Sequence, residues 1–285
     1  MSSKILVRLE PSRIYDKLPH MRVKKILVIS VVLAAVATIG AWLVYARDNQ
    51  VLPQSAVDLL AELPAPAPGR TILVFTPHPD DETIAAGGYI FSATRAGAQV
   101  WIALVTDGNF HHQKEIRYAE FKKAAAALGV SEDHLIFLGY PDHQLAGQDL
   151  SRVRGRFEEI ISTIKPEIVI TSHPQDHHPD HRVTGELVEA IWRNRDFTLY
   201  EFLVHHNLFP HPKGMNPHLY LLPPARMISF GRTWEVFPLS DEVETQKHKA
   251  ILQYRSQLSD RRDPLLAGLL VGMLRKNELF SVPSK

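Results

Sequence analysis

Five short apolar runs, each followed by a helical stretch, constrain this chain more than any other feature. They are TILVF (71–75), QVWIALVT (99–106), HLIFLG (134–139), EIVITS (167–172) and LYEFLVHH (199–206). Between them lie GGYIFSATRAG, EIRYAEFKKAAAALG, residues 150–165 and a helical stretch running to about Arg195, the first two closed by glycine. Continuous apolar runs alternating with helices predict buried parallel strands and an α/β fold: a Rossmann-like, mostly parallel sheet with helices on both faces. After Pro223 the pattern loosens, with helices expected over 240–258 and again near the end.

A different segment precedes the alternation. Residues 26–45, ILVISVVLAAVATIGAWLVY, form a run of twenty without a charge. At about 1.5 Å per helical residue it matches the hydrocarbon core of a bilayer, and Trp42 and Tyr45 lie where aromatic rings favour the interface. Lys4, Arg8, Arg13, Lys17, Arg22, Lys24 and Lys25 precede it, against Glu10 and Asp16 alone. The positive-inside rule then places the N-terminus in the cytoplasm and the rest of the chain outside, as expected of a bacterial inner-membrane protein. A cleaved signal peptide, with Val44-Tyr45-Ala46 as its cleavage site, is the alternative reading. The proline-rich LPAPAPGR, residues 63–70, reads as an extended linker. The layout expected is a basic cytoplasmic segment over 1–25, a transmembrane helix over 26–46, a linker over 47–70 and a catalytic domain over 71–285.

Composition removes several classes of function. A net charge of +1 argues against nucleic acid as a partner. The absence of cysteine excludes disulfides and thiolate metal sites, so a metal here needs imidazole and carboxylate ligands. Fifteen histidines keep that option open. No G-x-S-x-G elbow, H-E-x-x-H, P-loop or G-x-G-x-x-G is present.

Two polar clusters follow strand ends, where open α/β sheets place their chemistry. After the first strand comes His78-Pro79-Asp80-Asp81-Glu82, and after the fourth HPQDHHPDHR. Crowded carboxylates repel one another, and a cation among them reverses that sign. His78 and Asp81, three apart, can reach one ion, while one of the neighbouring Asp80 and Asp81 faces the water that is activated. His178 and His181 are also three apart. One can complete the metal site while the other approaches the substrate, with Asp180 orienting an imidazole. The competing reading makes Asp80, Asp81 and Glu82 helix-capping residues and the second cluster a solvated loop. Trp192, Tyr220 and Trp234 read as core packing rather than a sugar platform.

PHPDDE with HPDHR downstream resembles the PIG-L/LmbE-like family of zinc-dependent N-deacetylases. The likeness extends through TDG (106–108), Arg117 and Glu120, PDHQL (141–145), LVHHNLFPHPKG (203–214), YRSQ (254–257) and RKNELF (275–280). It implies one Zn²⁺ per chain held by His78, Asp81 and His181, with Asp80 as general base. His178 would be the protonated partner of the oxyanion, kept charged by a nearby Asp180, and Arg117 a substrate contact. The implied substrate is an N-acetylated amino sugar. The alternatives are a zinc amidase acting on another amide and a non-catalytic envelope glycan-binding protein.

Overall fold

The computed structural model describes residues 17–207, 209–228, 231–259 and 264–285, and it divides into two units, 1–48 and 49–285. In the first unit a single helix, α1 (Lys17–Asp48), contains a 24-residue span, Lys24–Arg47, of mean hydropathy 2.6. None of that span is buried, and Leu33 and Trp42 are each 63% exposed. The helix is long and apolar enough to cross a membrane. Residues 1–16, which carry most of the basic segment, lie outside the described residues.

The second unit builds one eight-stranded sheet. In chain order its elements are β1 (Ala61–Glu62), β2 (Thr71–Thr76), α2 (Asp81–Arg95), β3 (Gln99–Thr106), α3 (Lys114–Ala127), β4 (Leu135–Tyr140), α4 (Leu150–Ile164), β5 (Ile168–Ser172), α5 (Pro179–Trp192) and β6 (Thr198–Phe202). There follow β7 (Arg232–Pro238), α6 (Asp241–Ile251), α7 (Arg255–Leu258), α8 (Pro264–Gly272) and β8 (Asn277–Pro283). The strand order is β1-β7-β8-β6-β5-β2-β3-β4, and only β8 runs against its neighbours. Side-chain alternation supplies two cores. Ile72, Val74, Ile102, Leu104 and Ile170 face one, while Leu73, Phe75, Ala103, Val105 and Val169 face the other. Helices α2, α3 and α6 contribute to the first core; α4 and α5 cover the second.

The expected α/β sheet is therefore present, with additions. The irregular stretch after Pro223 contains two strands, β7 and β8, whose polar residues masked them in the sequence. The helix expected over 240–258 breaks at Tyr254 into α6 and α7. Parts of the segment expected as an extended linker touch the sheet. Leu63 is buried and its N–H donates to Val236 O at 2.8 Å, β1 pairs with β7, and Gln54 exchanges two hydrogen bonds with the Tyr220 backbone.

Strand order decides where the chemistry sits. From β2 the chain winds outward through β3 and β4, then crosses back to β5 on the other side of β2. The crevice at the carboxyl ends of β2 and β5 is thus the topological switch point.

Candidate metal centre

Both polar clusters enter this crevice. The chain leaves β2 through His78 and turns into α2 at Asp80, whose backbone takes the rare conformation φ 128°, ψ −32°. The Asp80 carbonyl accepts from Thr83 N and Ile84 N at 3.0 and 2.9 Å, so the helix begins there, yet the carboxylate caps nothing. The capping reading of the sequence holds for the backbone of Asp80 and leaves its side chain free for other work. Glu82, fully buried, anchors the turn: it accepts from Asp80 N, Thr76 Oγ1, Thr83 Oγ1 and the Tyr254 hydroxyl. The second cluster leaves β5 at His173 and enters α5 at Pro179, whose missing N–H suits a first helical position. Gly185 sets the depth of α5. A Cβ there would stand 2.3 Å from Ser172 O, so only glycine lets the helix approach the end of β5 this closely.

Three ligand atoms converge. His78 Nδ1 lies 3.2 Å from Asp81 Oδ2 and 3.1 Å from His181 Nε2, and the last two are 3.0 Å apart. Ligands in a tetrahedral shell with bonds of about 2.0 Å are separated by about 3.3 Å, so one small divalent cation fits this triangle with a position left open. The outward nitrogens face carboxylates. His78 Nε2 is 3.1 Å from both Asp142 Oδ1 and Asp180 Oδ2, and His181 Nδ1 is 3.3 Å from Asp176 Oδ2. Such partners fix the tautomer that turns a lone pair inward.

Electrostatics agrees with the geometry. Asp80, Asp81, Asp142, Asp176 and Asp180 are all buried here, with Arg117 the buried guanidinium among them. Burial opposes charge on His78, but Asp142, Asp180 and Asp81 outweigh it and hold the imidazole well above its usual pKa. His181 is pushed up to about 9 against its burial, by Asp81 and Asp176. The pocket therefore calls for positive charge, which a divalent cation supplies in place of those protons.

The remaining sequence-derived residues fall around the triangle. Asp80 lines a pocket of about 270 Å³ together with His78, Asp81, Arg117 and His178. Burial raises its carboxyl to about 8, with Arg117 drawing it back. Arg117 is 9% exposed and committed to protein oxygens: Gly108 O at 3.1 Å, Pro79 O at 2.9 Å and Asp80 Oδ2 at 3.2 Å. Asp180 faces His78 Nε2 and accepts from His143 N and Leu145 N at 2.7 and 3.1 Å. It does not keep His178 charged, as the sequence led us to expect. Burial, then His78, His181, His205 and His143, bring the His178 imidazole down to about 2. His178 Nδ1 accepts from Asp180 N at 3.3 Å, so its hydrogen resides on Nε2.

Eight of the pocket residues escaped the sequence reading, among them His111 and His143, which it had left as ordinary histidines. Asp142 follows β4, His205 follows β6, Gln257 belongs to α7 and Leu269 to α8. Asp142 and His205 stood inside motifs already noted, and a rule that strand ends carry the chemistry would have found both. Gln257 closes the YRSQ motif, whereas nothing local marks Leu269. Trp192 and Trp234 are buried in the two cores, as expected for packing residues.

Residues 73–192 match the PIG-L family, described as GlcNAc-PI de-N-acetylase. A probable N-acetyl-alpha-D-glucosaminyl L-malate deacetylase 2 of Bacillus cereus is 37% identical over 138 residues, covering 44% of this chain and 62% of that protein. The diacetylchitobiose deacetylase of Thermococcus kodakarensis is 33% identical over 138 residues, covering 43% of this chain and 49% of that protein. The chain thus spans less than two thirds of the length of these relatives. In fold it is similar to the N,N'-diacetylchitobiose deacetylase of Pyrococcus horikoshii, with a TM-score of 0.54, 24% identity and coverage of 75% of this chain and 83% of that one. The stretch that matches the PIG-L family, residues 73–192, is the one that supplies His78, Asp81 and His181.

Proposed function

We propose that this chain is a zinc-dependent N-deacetylase that removes the acetyl group from an N-acetylglucosamine-containing glycan, glycolipid or glycoconjugate. The observation that carries the reading is the triangle of His78 Nδ1, Asp81 Oδ2 and His181 Nε2, with Asp80 beside it in the same pocket. The deacetylases named above act on substrates of this kind, which supports the substrate class.

His78, Asp81 and His181 would hold the ion. Zinc supplies Lewis acidity: it brings the pKa of a water molecule towards about 7 and polarises a carbonyl. Asp80 takes the proton as water attacks the acetamide carbon, and a carboxyl poised near the working pH suits that transfer. His178 serves as a neutral donor, its Nε2–H turning from His143 Nε2, 3.3 Å away, to the developing oxyanion. Asp180 holds His78 from behind. Arg117 contacts the substrate from the pocket wall and steadies Asp80. The proton held by Asp80 then goes to the amine as the C–N bond breaks, releasing acetate and the free amino sugar.

We further infer that α1 anchors the protein, with the N-terminus cytoplasmic and the domain outside. The test of function is acetate release by the detergent-solubilised full chain, with and without zinc, on a panel of N-acetylglucosamine conjugates. Zinc-dependent acetate is expected from at least one, and Asp80→Ala should abolish it while zinc stays bound. Metal loss in that variant would move Asp80 into the ligand set. No acetate from a zinc-loaded chain would turn attention to another amide.

A further inference from the structure

Asp176, 1% exposed at the centre of the second polar cluster, has figured so far only as the carboxylate beside His181 Nδ1. We propose that Asp176 is the positioning carboxylate of the metal loop: it holds the metal-binding His181 by its outer nitrogen and fixes the adjoining pocket wall to the same anion. The inference rests on the metal reading above.

One oxygen, Oδ2, faces three nitrogens. It accepts from Val204 N at 3.0 Å and His205 N at 2.9 Å, and lies 3.3 Å from His181 Nδ1. The other oxygen, Oδ1, accepts from His178 N at 2.9 Å. A single buried anion thus ties together the exit of β6, the cap of α5 and one corner of the donor triangle. Three backbone N–H groups around a carboxylate favour its charged form strongly. His181 Nδ1 is buried with no well-formed hydrogen bond, and the carboxylate beside it is Asp176 at 3.3 Å, so its hydrogen belongs towards Asp176 and the Nε2 lone pair turns to Asp81 and His78. The choice of nitrogen is then made before any ion arrives. The pocket wall follows from the same contacts. His205, whose ring lies 4.8 Å from that of His181, takes its backbone position from Asp176 and lines the pocket. A shift of this carboxylate would therefore move a ligand and a wall together, which is how one residue can couple metal affinity to pocket shape.

The test compares zinc affinity of the full chain in detergent, by competition with a chelating dye, for wild type, Asp176→Asn and Asp149→Asn. Asp149 caps α4 through Ser151 N and Arg152 N, away from the site, and serves as a control for lost stability alone. Asp176→Asn should bind zinc roughly 10- to 100-fold more weakly, with Asp149→Asn unchanged. Affinity within twofold of wild type in Asp176→Asn would overturn the role of Asp176 and leave the metal site standing. A wild-type chain that takes up no zinc would overturn both. A second measurement needs no variant: nitrogen NMR of the histidine rings in the zinc-loaded wild type. It should place the His181 proton on Nδ1, and a proton on Nε2 would refute the assignment.

Discussion

Arg117 and Asp80 show how a single pair sets the working geometry. The φ of 128° at Asp80 is costly for any residue but glycine, roughly 1–3 kcal/mol, and persists because its surroundings over-determine it. Arg117 bonds to Pro79 O and to the Asp80 carboxylate, so it clamps the strained turn from both sides. Arg117→Met should lower kcat by roughly 10²-fold through misplacement of the base. A substrate contact alone would instead raise KM, so steady-state kinetics separates the two roles. His173, at the exit of β5, supplies a pH effect of its own. It stacks on Trp234, and its pKa is lowered to about 3 by burial first, then by Arg232. The unfolded imidazole takes a proton below about 6.5, whereas the folded one stays neutral until about 3. Stability from this residue is thus complete above pH 6.5 and lost as pH falls, by up to about 1.4 kcal/mol per unit. Urea titrations at pH 7, 6 and 5 should show stability falling more steeply in wild type than in His173→Gln, the difference being this residue's share. Equal slopes in the two proteins would mean that the imidazole gains its proton without cost.

Among the elements, α5 matters most, because its first turns carry Asp180 and His181 while its body seals the second core. Its approach to β5 depends on Gly185, where an added methyl would meet backbone atoms that cannot rotate away. Gly185→Ala should destabilise the fold by about 1–3 kcal/mol and displace His181 from the triangle. Thermal unfolding and zinc affinity should fall together in this variant; unchanged affinity would show that the loop absorbs the shift before His181. A second device joins the late elements to the early ones. Lys247 of α6 and Glu278 of β8 form a fully buried pair at 2.8 Å, and Glu278 also accepts from Gly88 N and Tyr89 N of α2. Tyr254 bonds to Glu82 in the same way, and Ser256 to Glu120. The chain after Pro223, irregular in its sequence pattern, is thus fastened to the earlier elements by polar bonds. Such bonds have no periodicity, and periodicity is what a sequence pattern displays.

For the molecule as a whole, the apolar span Lys24–Arg47 of α1 is the long stretch with no buried residue. Burying such a run in lipid is favourable at about 25 cal/mol per Å² of apolar surface, and leaving it in water favours aggregation. The full chain should float with lipid vesicles after carbonate washing, and a chain starting at Asn49 should stay in the aqueous fraction. A full chain that washes off would rule out a spanning anchor. The alternation of runs determined the α/β class, because side-chain period and strand length are local properties. The same local logic placed His78, Asp81 and His181 after strand ends and marked residues 26–45 as membrane-compatible. The order of strands was not local. Only the return from β4 to β5 beside β2 brings His78 within 3.1 Å of His181, 103 residues away. The same folding gave Asp142 and Asp180 to His78, Arg117 to Asp80 and Asp176 to His181. It also left His178 among imidazoles, where burial and like charge remove the proton that spacing alone had led us to expect. Spacing along a chain fixes which groups can share a turn, but the charge a group carries depends on neighbours that only packing assembles.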